Sequence, residues 1–242
     1  MRCFALLVAL LAGQTQAATC REMTFEDLPY TVCQVRADQD LRLFLNGPQG
    51  AYGGFSALQA HLDRSGETLA FAMNAGMFLP DLSPVGLYVE SGAELAPIVT
   101  SDGPGNFGLL PNGVFCISDR FSVVESRRFA TARPACRDAT QSGPMLVIDG
   151  ELHPQFKPAS DSLNIRNGVG VSADGTNAYF AISNRAVNFA TFARLFRDGL
   201  GTPDALYFDG SVSRLFAPEL GRAGSGFAIG PIVGLVLPKA DN

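Results

Sequence analysis

The segment DALYFDGSVSRL, residues 204–215, places several chemically active side chains directly after an apolar run. If residues 205–208 form a buried strand, its carboxyl end gathers Asp209, Ser211, Ser213 and Arg214, where α/β sheets bind ligands. We predict that Asp209 is the catalytic carboxylate and that Gly210 belongs to the substrate site. An Asp-Gly pair between apolar runs is also typical of a two-residue type I′ hairpin turn, so that alternative stays open.

A second polar group follows the apolar run 69–73, in the sequence MNAGMF. The amide of Asn74 can both donate and accept hydrogen bonds, and Gly76 allows the backbone to approach a ligand closely. We expect the strands before Asn74 and Asp209 to lie in one sheet and to deliver both side chains to the same rim. The alternative is a turn with a local asparagine cap.

Two further turns carry residues suited to an anionic ligand. Ser142 and Gly143 begin the segment SGPML, and Arg166 and Asn167 precede a glycine-rich strand in IRNGVGV. The planar guanidinium group binds phosphate or carboxylate through two parallel hydrogen bonds, which favours Arg166 as a ligand for phosphate. The alternative is a surface arginine in a salt bridge. The segment GNFGLLPNGVF, residues 105–115, is predicted to be a structural loop.

The absent motifs narrow the chemistry. The sequence contains no G-x-S-x-G elbow, no phosphate-binding or dinucleotide glycine motif, and only two histidines, His61 and His153. This argues against a serine–histidine–acid triad. The remaining carboxylates, amides, hydroxyls and arginines suit glycosyl or phosphoryl transfer.

Two helices must position these groups. The first is predicted from Ser56 to Ser65, with a capping box formed by Ser56 and Gln59 and with Gly66 ending it. The second runs from Asn188 to Asp198, and its phenylalanine stripe indicates core packing. It leads into the strand before Asp209, as in a helix–strand crossover unit.

Nearly all the rest of the chain reads as short strands between turns. The predicted fold is therefore α+β, a strand-rich mixed sheet with few helices. The predicted strands are residues 41–45, 69–73, 85–89, 114–117, 145–148, 169–171, 178–182, 205–208 and 232–237.

The first 18 residues have the pattern of a secretory signal peptide, with Arg2, a short apolar run and small residues before Thr19. No other run is long enough to span a membrane, so we expect a periplasmic or secreted protein. Removing residues 1–18 leaves 17 basic residues against 23 acidic ones, a net charge of −6, which argues against a nucleic-acid partner. Residues 19–242 show no linker and are predicted to form one domain.

The exported chain retains an even number of cysteines: Cys20, Cys33, Cys116 and Cys136. We favour the pairs Cys20–Cys33 and Cys116–Cys136, because each closes a short loop in an oxidising compartment. Zinc binding is the alternative. No metal or cofactor is predicted, although a structural calcium stays open, because four carboxylates in or near loops could supply oxygen ligands: Asp81, Glu90, Asp102 and Asp161.

Five segments in order, NAGMF, GNFGLLPNGVF, SGPML, IRNGVGV and ALYFDGSVSRL, give the chain a resemblance to the phosphodiester glycosidase family. That family was formerly a domain of unknown function and includes the enzyme that uncovers mannose 6-phosphate. The likeness covers residues 41–238 and is strongest to uncharacterised exported bacterial members. The chain departs from the family at Ala75 and Ser211, where other members often carry glycine.

The resemblance implies hydrolysis of the bond between an anomeric sugar carbon and a phosphodiester, as in phosphate-linked glycans, including exopolysaccharides. It maps the family's functional residues onto Asn74, Arg166 and Asp209, and its Ser-Gly-Pro turn onto Ser142 and Gly143. Two alternatives remain: a periplasmic glycan-binding module with the same pocket but no catalysis, and a phosphodiesterase that cuts on the phosphorus side.

Overall fold

Over the part of the chain that the structure describes, the fold consists of short strands and three α-helices. A computed structural model describes residues 18–239, and in that range it contains one seven-stranded sheet, two five-stranded sheets and a two-stranded ribbon. The α+β class with few helices is confirmed. Most of the predicted signal peptide, residues 1–17, lies outside the described range.

The seven-stranded sheet carries the predicted catalytic strand near its centre. Side chains on its two faces belong to two different apolar clusters. One cluster packs against the other sheets, and the other packs against a helix. Period-two side-chain alternation explains how one strand serves both faces. The order is β1 (Thr19–Phe25), β2 (Leu28–Arg36), β15 (Asn177–Ser183), β14 (Asn167–Val171), β16 (Asp204–Asp209), β12 (Met145–Ile148) and β13 (Glu151–Leu152).

The two five-stranded sheets pack against it. The first has the order β10 (Phe121–Glu125), β9 (Gly113–Ile117), β11 (Asp138–Ser142), β7 (Tyr88–Glu90) and β8 (Ala93–Ala96). The second has the order β18 (Arg222–Ala223), β17 (Leu215–Ala217), β6 (Glu67–Asn74), β19 (Ile232–Pro238) and β3 (Leu41–Phe44). The ribbon pairs β4 (Asn46–Gly47) with β5 (Gly50–Ala51).

The prediction of a mixed sheet, with both parallel and antiparallel neighbours, is wrong. Throughout residues 18–239, neighbouring strands are antiparallel. The physical reason is that each crossover joins strands that are not neighbours. β15 and β16 run parallel to each other with β14 between them, and β3 and β6 run parallel with β19 between them.

Each of these two crossovers contains a helix, so the predicted helix–strand unit is present twice. α1 (Phe55–Asp63) leads into β6, and α3 (Phe189–Arg194), followed by a π-helical turn (Leu195–Gly199), leads into β16. A third helix, α2 (Ser126–Ala132), was not predicted, since only two of its side chains are buried and no apolar period marks it.

Of the two predicted helix caps, one is present and one is not. Asn188 caps α3 by accepting a hydrogen bond from the Thr191 backbone N–H at 2.9 Å, as predicted. The capping box at Ser56 is wrong, because α1 begins after Gly54 without a side-chain cap. Gln59 instead accepts a hydrogen bond from the Leu69 backbone N–H at 2.9 Å, which ties the helix to β6.

Aromatic packing joins the three large sheets. The ring of Phe180 on β15 lies 5.0 Å from Phe71 on β6 and 5.7 Å from Phe115 on β9, centroid to centroid. All three rings are fully buried. Each such pair contributes about 0.5–1.5 kcal/mol beyond its area burial, so Phe180 fixes the point where the sheets meet.

The predicted disulfides are confirmed as Cys20–Cys33 and Cys116–Cys136, so the zinc alternative is wrong for these cysteines. Cys20 and Cys33 are also directly opposite each other on β1 and β2. Disulfides of this kind are typical of proteins in an oxidising compartment. None of the helices in residues 18–239 has the length and apolar character needed to cross a bilayer.

Candidate active site

Strand ends from all three large sheets meet at the predicted site. Asn74 ends β6, Ser142 ends β11, Asp209 ends β16 and Asn167 begins β14. The expectation that Asn74 and Asp209 share one sheet is wrong, since β6 and β16 belong to different sheets. Their ends nevertheless meet, because both bond to Asn167.

Asp209 is held by the loop that follows it. Its Oδ1 accepts hydrogen bonds from the backbone N–H groups of Gly210 at 2.6 Å, Ser211 at 2.7 Å and Val212 at 3.4 Å. Within residues 18–239 its Oδ2 makes no hydrogen bond, and the residue is 8% exposed. The type I′ hairpin alternative is wrong, because β16 and the following β17 lie in different sheets.

A β-bulge near the end of β16 affects the direction of the Asp209 side chain. The pairing passes from Tyr207 opposite Gly168 to Asp209 opposite Asn167, which leaves Phe208 as an extra residue on β16. Bulges bend the strand and re-aim side chains, and they occur often beside active sites. The bulge therefore contributes to turning Asp209 towards the other two sheets.

Opposing influences act on the Asp209 carboxyl. Burial raises its pKa above the ordinary value, while the three backbone N–H donors lower it. Burial is the larger effect. A carboxylate with a raised pKa is a stronger base than an exposed one, which suits proton transfer near neutral pH.

Asn74 and Asn167 form a fully buried amide pair. The Asn167 Nδ2 donates to the Asn74 Oδ1 at 2.8 Å and to the Asn74 carbonyl at 3.1 Å, and the Asn167 Oδ1 accepts from the Asp209 backbone N–H at 3.0 Å. The Asn74 Oδ1 also accepts from the Arg214 backbone N–H at 2.9 Å. Both side chains are buried and hydrogen-bonded within the fold, which favours a positioning role.

Ser213 and Arg214, in the loop after β16, make different contacts. The Ser213 hydroxyl donates to the Ile165 carbonyl at 2.8 Å, so it pins the loop to the segment before β14. The Arg214 guanidinium contacts the carbonyl oxygens of Gly224 and Phe227 and lies 5.2 Å from the Phe55 ring centroid. Arg214 is part-buried, and within residues 18–239 it has no carboxylate partner.

Arg166 is enclosed by protein on every side and is fully buried. Its Nε donates to the Val187 carbonyl at 2.8 Å, its Nη2 to the Ser162 carbonyl at 2.9 Å and its Nη1 to the Tyr207 hydroxyl at 3.2 Å. The Cζ atom lies 3.7 Å from the ring centroid of Phe189. The salt-bridge alternative is wrong, and this placement favours support of the site over direct contact with a phosphate.

The Ser-Gly-Pro turn lies on the same side of the molecule. The Ser142 hydroxyl donates to the Phe208 carbonyl at 3.0 Å, which connects β11 to β16. A Cβ at Gly143 would lie 2.5 Å from the Asn112 Cβ, and one at Gly76 would lie 3.1 Å from the Thr140 Oγ1. Close protein packing therefore explains the glycine at position 143.

Within residues 18–239, no three His, Cys, Asp or Glu side chains are grouped so that they could hold a metal ion. Two of the four carboxylates named as possible calcium ligands have other partners. The Asp81 Oδ1 accepts from the Ser83 backbone N–H at 3.0 Å, and the Glu90 Oε2 accepts from the Tyr88 hydroxyl at 3.0 Å.

Sequence reasoning missed Tyr207. It lies two residues before Asp209, is fully buried, and accepts the hydrogen bond of Arg166. The signal was a polar hydroxyl inside an otherwise apolar strand, ALYF, because a buried tyrosine hydroxyl usually has a partner.

The phosphodiester glycosidase family model matches residues 67–224. The chain belongs to the phosphodiester glycosidase family. The matched region contains Asn74, Arg166, Asp209 and Arg214, so the strand ends described above lie within the family domain.

One curated relative and several solved structures are similar to this chain. The uncharacterised protein YigE of Escherichia coli is 36% identical over 167 residues, which are 69% of this chain and 65% of YigE, so the chain spans less than two thirds of that relative. The catalytic domain of zebrafish N-acetylglucosamine-1-phosphodiester alpha-N-acetylglucosaminidase, auto-inhibited by its pro-peptide, has a TM-score of 0.60 at 14% identity, over 90% of this chain and 81% of that one.

Two bacterial structures share the fold of this chain. A hypothetical protein from Synechocystis has a TM-score of 0.60 at 14% identity, over 91% of this chain and 62% of that one. A putative exported protein from Burkholderia pseudomallei has a TM-score of 0.54 at 12% identity, over 86% and 74%. At these identities the likeness shows the fold alone.

Proposed function

We propose that this protein is an exported hydrolase that cleaves the bond between an anomeric sugar carbon and a phosphodiester, with Asp209 as its catalytic carboxylate. The observation that carries the proposal is the state of Asp209. Its Oδ1 is fixed by three backbone N–H groups, while within residues 18–239 its Oδ2 has no hydrogen-bond partner. One oxygen thus holds the side chain in place and the other is left for a substrate.

Hydrolysis of this bond needs water as its only co-reactant. The bond between the anomeric carbon and the phosphate oxygen breaks, the phosphomonoester leaves with the electron pair, and a water oxygen ends on the sugar carbon. Phosphate is a better leaving group than an alcohol, so the demand for a general acid is low. Asp209 then acts either as the base for water or as a nucleophile, which give inversion and retention respectively.

The substrate phosphate needs a positive charge, and Arg214 is the better placed of the two predicted arginines. Arg214 is part-buried and its charge is not neutralised by a carboxylate within residues 18–239, whereas Arg166 is enclosed. We therefore assign contact with the phosphate to Arg214 and assign support of the Asp209 loop to Arg166. Charge stabilisation of a leaving phosphate is the kind of effect that dominates such reactions.

The proposed location is supported by the disulfides and by the leader pattern. Two disulfides persist in an oxidising compartment, and residues 1–18 have the pattern of a signal peptide. We place the protein in the periplasm or outside the cell, acting on a phosphate-linked glycan.

The test uses the chain from Thr19 with both disulfides formed. It is incubated with UDP-N-acetylglucosamine and a panel of sugar-1-phosphodiesters, and free sugar is measured beside Asp209→Asn. The matched control is Asp149→Asn, because Asp149 also follows a strand and precedes glycine but is exposed and paired with Arg128. We expect release by the wild type and by Asp149→Asn, and none by Asp209→Asn.

Two further measurements distinguish the hydrolase from a phosphodiesterase and from a glycan-binding module. In water enriched in oxygen-18, attack at the sugar labels the sugar, whereas a phosphodiesterase would label the phosphate. Binding of the panel by folded wild type without any release would support the glycan-binding module and would refute the hydrolase.

A further inference from the structure

Tyr207 connects the buried Arg166 to the loop that carries Asp209. Its hydroxyl accepts a hydrogen bond from the Arg166 Nη1 at 3.2 Å, and its ring meets the Phe189 ring edge-on at 4.7 Å between centroids. The Arg166 Cζ atom lies over the same Phe189 ring, 3.7 Å from its centroid. Tyr207 therefore has little freedom to move.

The hydroxyl of this rigid side chain lies directly against Gly210. A Cβ built on Gly210 would lie 2.0 Å from the Tyr207 hydroxyl oxygen, far inside van der Waals contact. The next nearest atoms, the Asn164 Cβ and the Tyr207 Cζ, would both lie at 3.3 Å. The backbone at Gly210 is outside the positive-φ region, so the backbone itself would accept another residue.

Gly210 also makes the shortest hydrogen bond to the carboxylate, from its backbone N–H to the Asp209 Oδ1 at 2.6 Å. The position of this N–H sets the orientation of the carboxylate, and it is bounded on one side by the Tyr207 hydroxyl. Only a glycine allows both contacts at once. The glycine at position 210 is thus explained by a protein contact and not by the approach of a ligand.

We propose that Tyr207, held by Arg166, is a positioning residue that fixes Gly210 and through it the Asp209 carboxylate. The proposal rests on the proposed function for its catalytic consequence and on geometry for the contact itself. The charged groups that face Tyr207 are Arg166 and Asp209. Since Tyr207 is fully buried, it acts through Gly210 and does not touch the substrate.

The test is a double-mutant cycle between Tyr207→Phe and Gly210→Ala. Removing the hydroxyl removes the atom at 2.0 Å and leaves neighbours at 3.3 Å, which small shifts can accommodate. We expect Gly210→Ala alone to lower kcat by about 100-fold with KM nearly unchanged, and to lower it by less than about 3-fold in the Tyr207→Phe background. If Gly210→Ala alone does not fold, recovery of folded protein in the double variant replaces the kinetic readout.

Tyr30→Phe is the matched control. Tyr30 is also fully buried and belongs to the same apolar cluster, but within residues 18–239 its hydroxyl has no hydrogen-bond partner. Combined with Gly210→Ala, it should give no rescue. Equal losses from Gly210→Ala in all three backgrounds, or full tolerance of the alanine in wild type, would overturn the proposal.

A readout without turnover separates this inference from the proposed function. The Asp209 pKa can be followed by carbon-13 NMR of its labelled carboxyl group. Because the N–H donors lower this pKa, Tyr207→Phe should raise it, whereas Tyr30→Phe should leave it unchanged. If the wild type releases no sugar, the hydrolase proposal fails, while the titration still decides the role of Tyr207. An unchanged Asp209 pKa in Tyr207→Phe would count against that role.

Discussion

Replacing Asn167 with alanine should destabilise the fold strongly, because Asn167 is the residue that joins two sheets at the site. It is fully buried and bonds to Asn74 on β6 and to the backbone of Asp209 on β16. Asn167→Ala removes these bonds without removing their partners. The variant therefore tests whether the site is held together by this amide.

The magnitude follows from the groups left without partners. The Asp209 backbone N–H loses its acceptor, and the Asn74 Nδ2 loses the Asn167 Oδ1 at 3.4 Å. Each orphaned buried donor costs about 1–3 kcal/mol, so the expected loss is about 2–6 kcal/mol. A water molecule entering the vacated space would bring the loss to the lower end of that range.

The measurement is urea unfolding followed by circular dichroism, with the free energy of unfolding compared at constant slope. Asn177→Ala is the matched control, since Asn177 also bonds through its side chain but lies half-buried at the start of β15. We expect that control to lose less than about 1 kcal/mol. If Asn167→Ala is as stable as Asn177→Ala, the amide pair does not hold the sheets together and the reasoning fails.

Three further outcomes are expected. Asp209→Asn should be more stable than wild type at neutral pH: burial raises the carboxyl pKa in the fold, so the ionised form costs stability, and the difference in urea midpoint should shrink as pH falls through the folded-state pKa. Removing the Cys116–Cys136 disulfide, which closes 20 residues, should cost about 3 kcal/mol in thermal unfolding. Asn188→Ala should cost about 1 kcal/mol by the same method, because it removes the α3 cap at Thr191.

Local patterns in the sequence predicted nine of the nineteen strands in residues 18–239 and two of the three α-helices there. The apolar runs before Asn74 and Asp209 are strands, and Asn188 caps its helix. These features depend on side-chain periodicity and on nearest neighbours, which the sequence states directly. The capping box at Ser56 failed because Gln59 found a better partner on β6, a contact between segments.

The sequence by itself also indicated the residues of the candidate site, since Asn74, Ser142, Asn167 and Asp209 each follow or precede a recognisable strand. It did not determine their partners. That β6 and β16 occupy different sheets, that Arg166 is enclosed, and that Tyr207 stands against Gly210 depend on how strands far apart in the chain pack. Strand order and burial are decided by the packing of the whole core, so only the tertiary structure could show which polar groups support the carboxylate and which are left to meet a substrate.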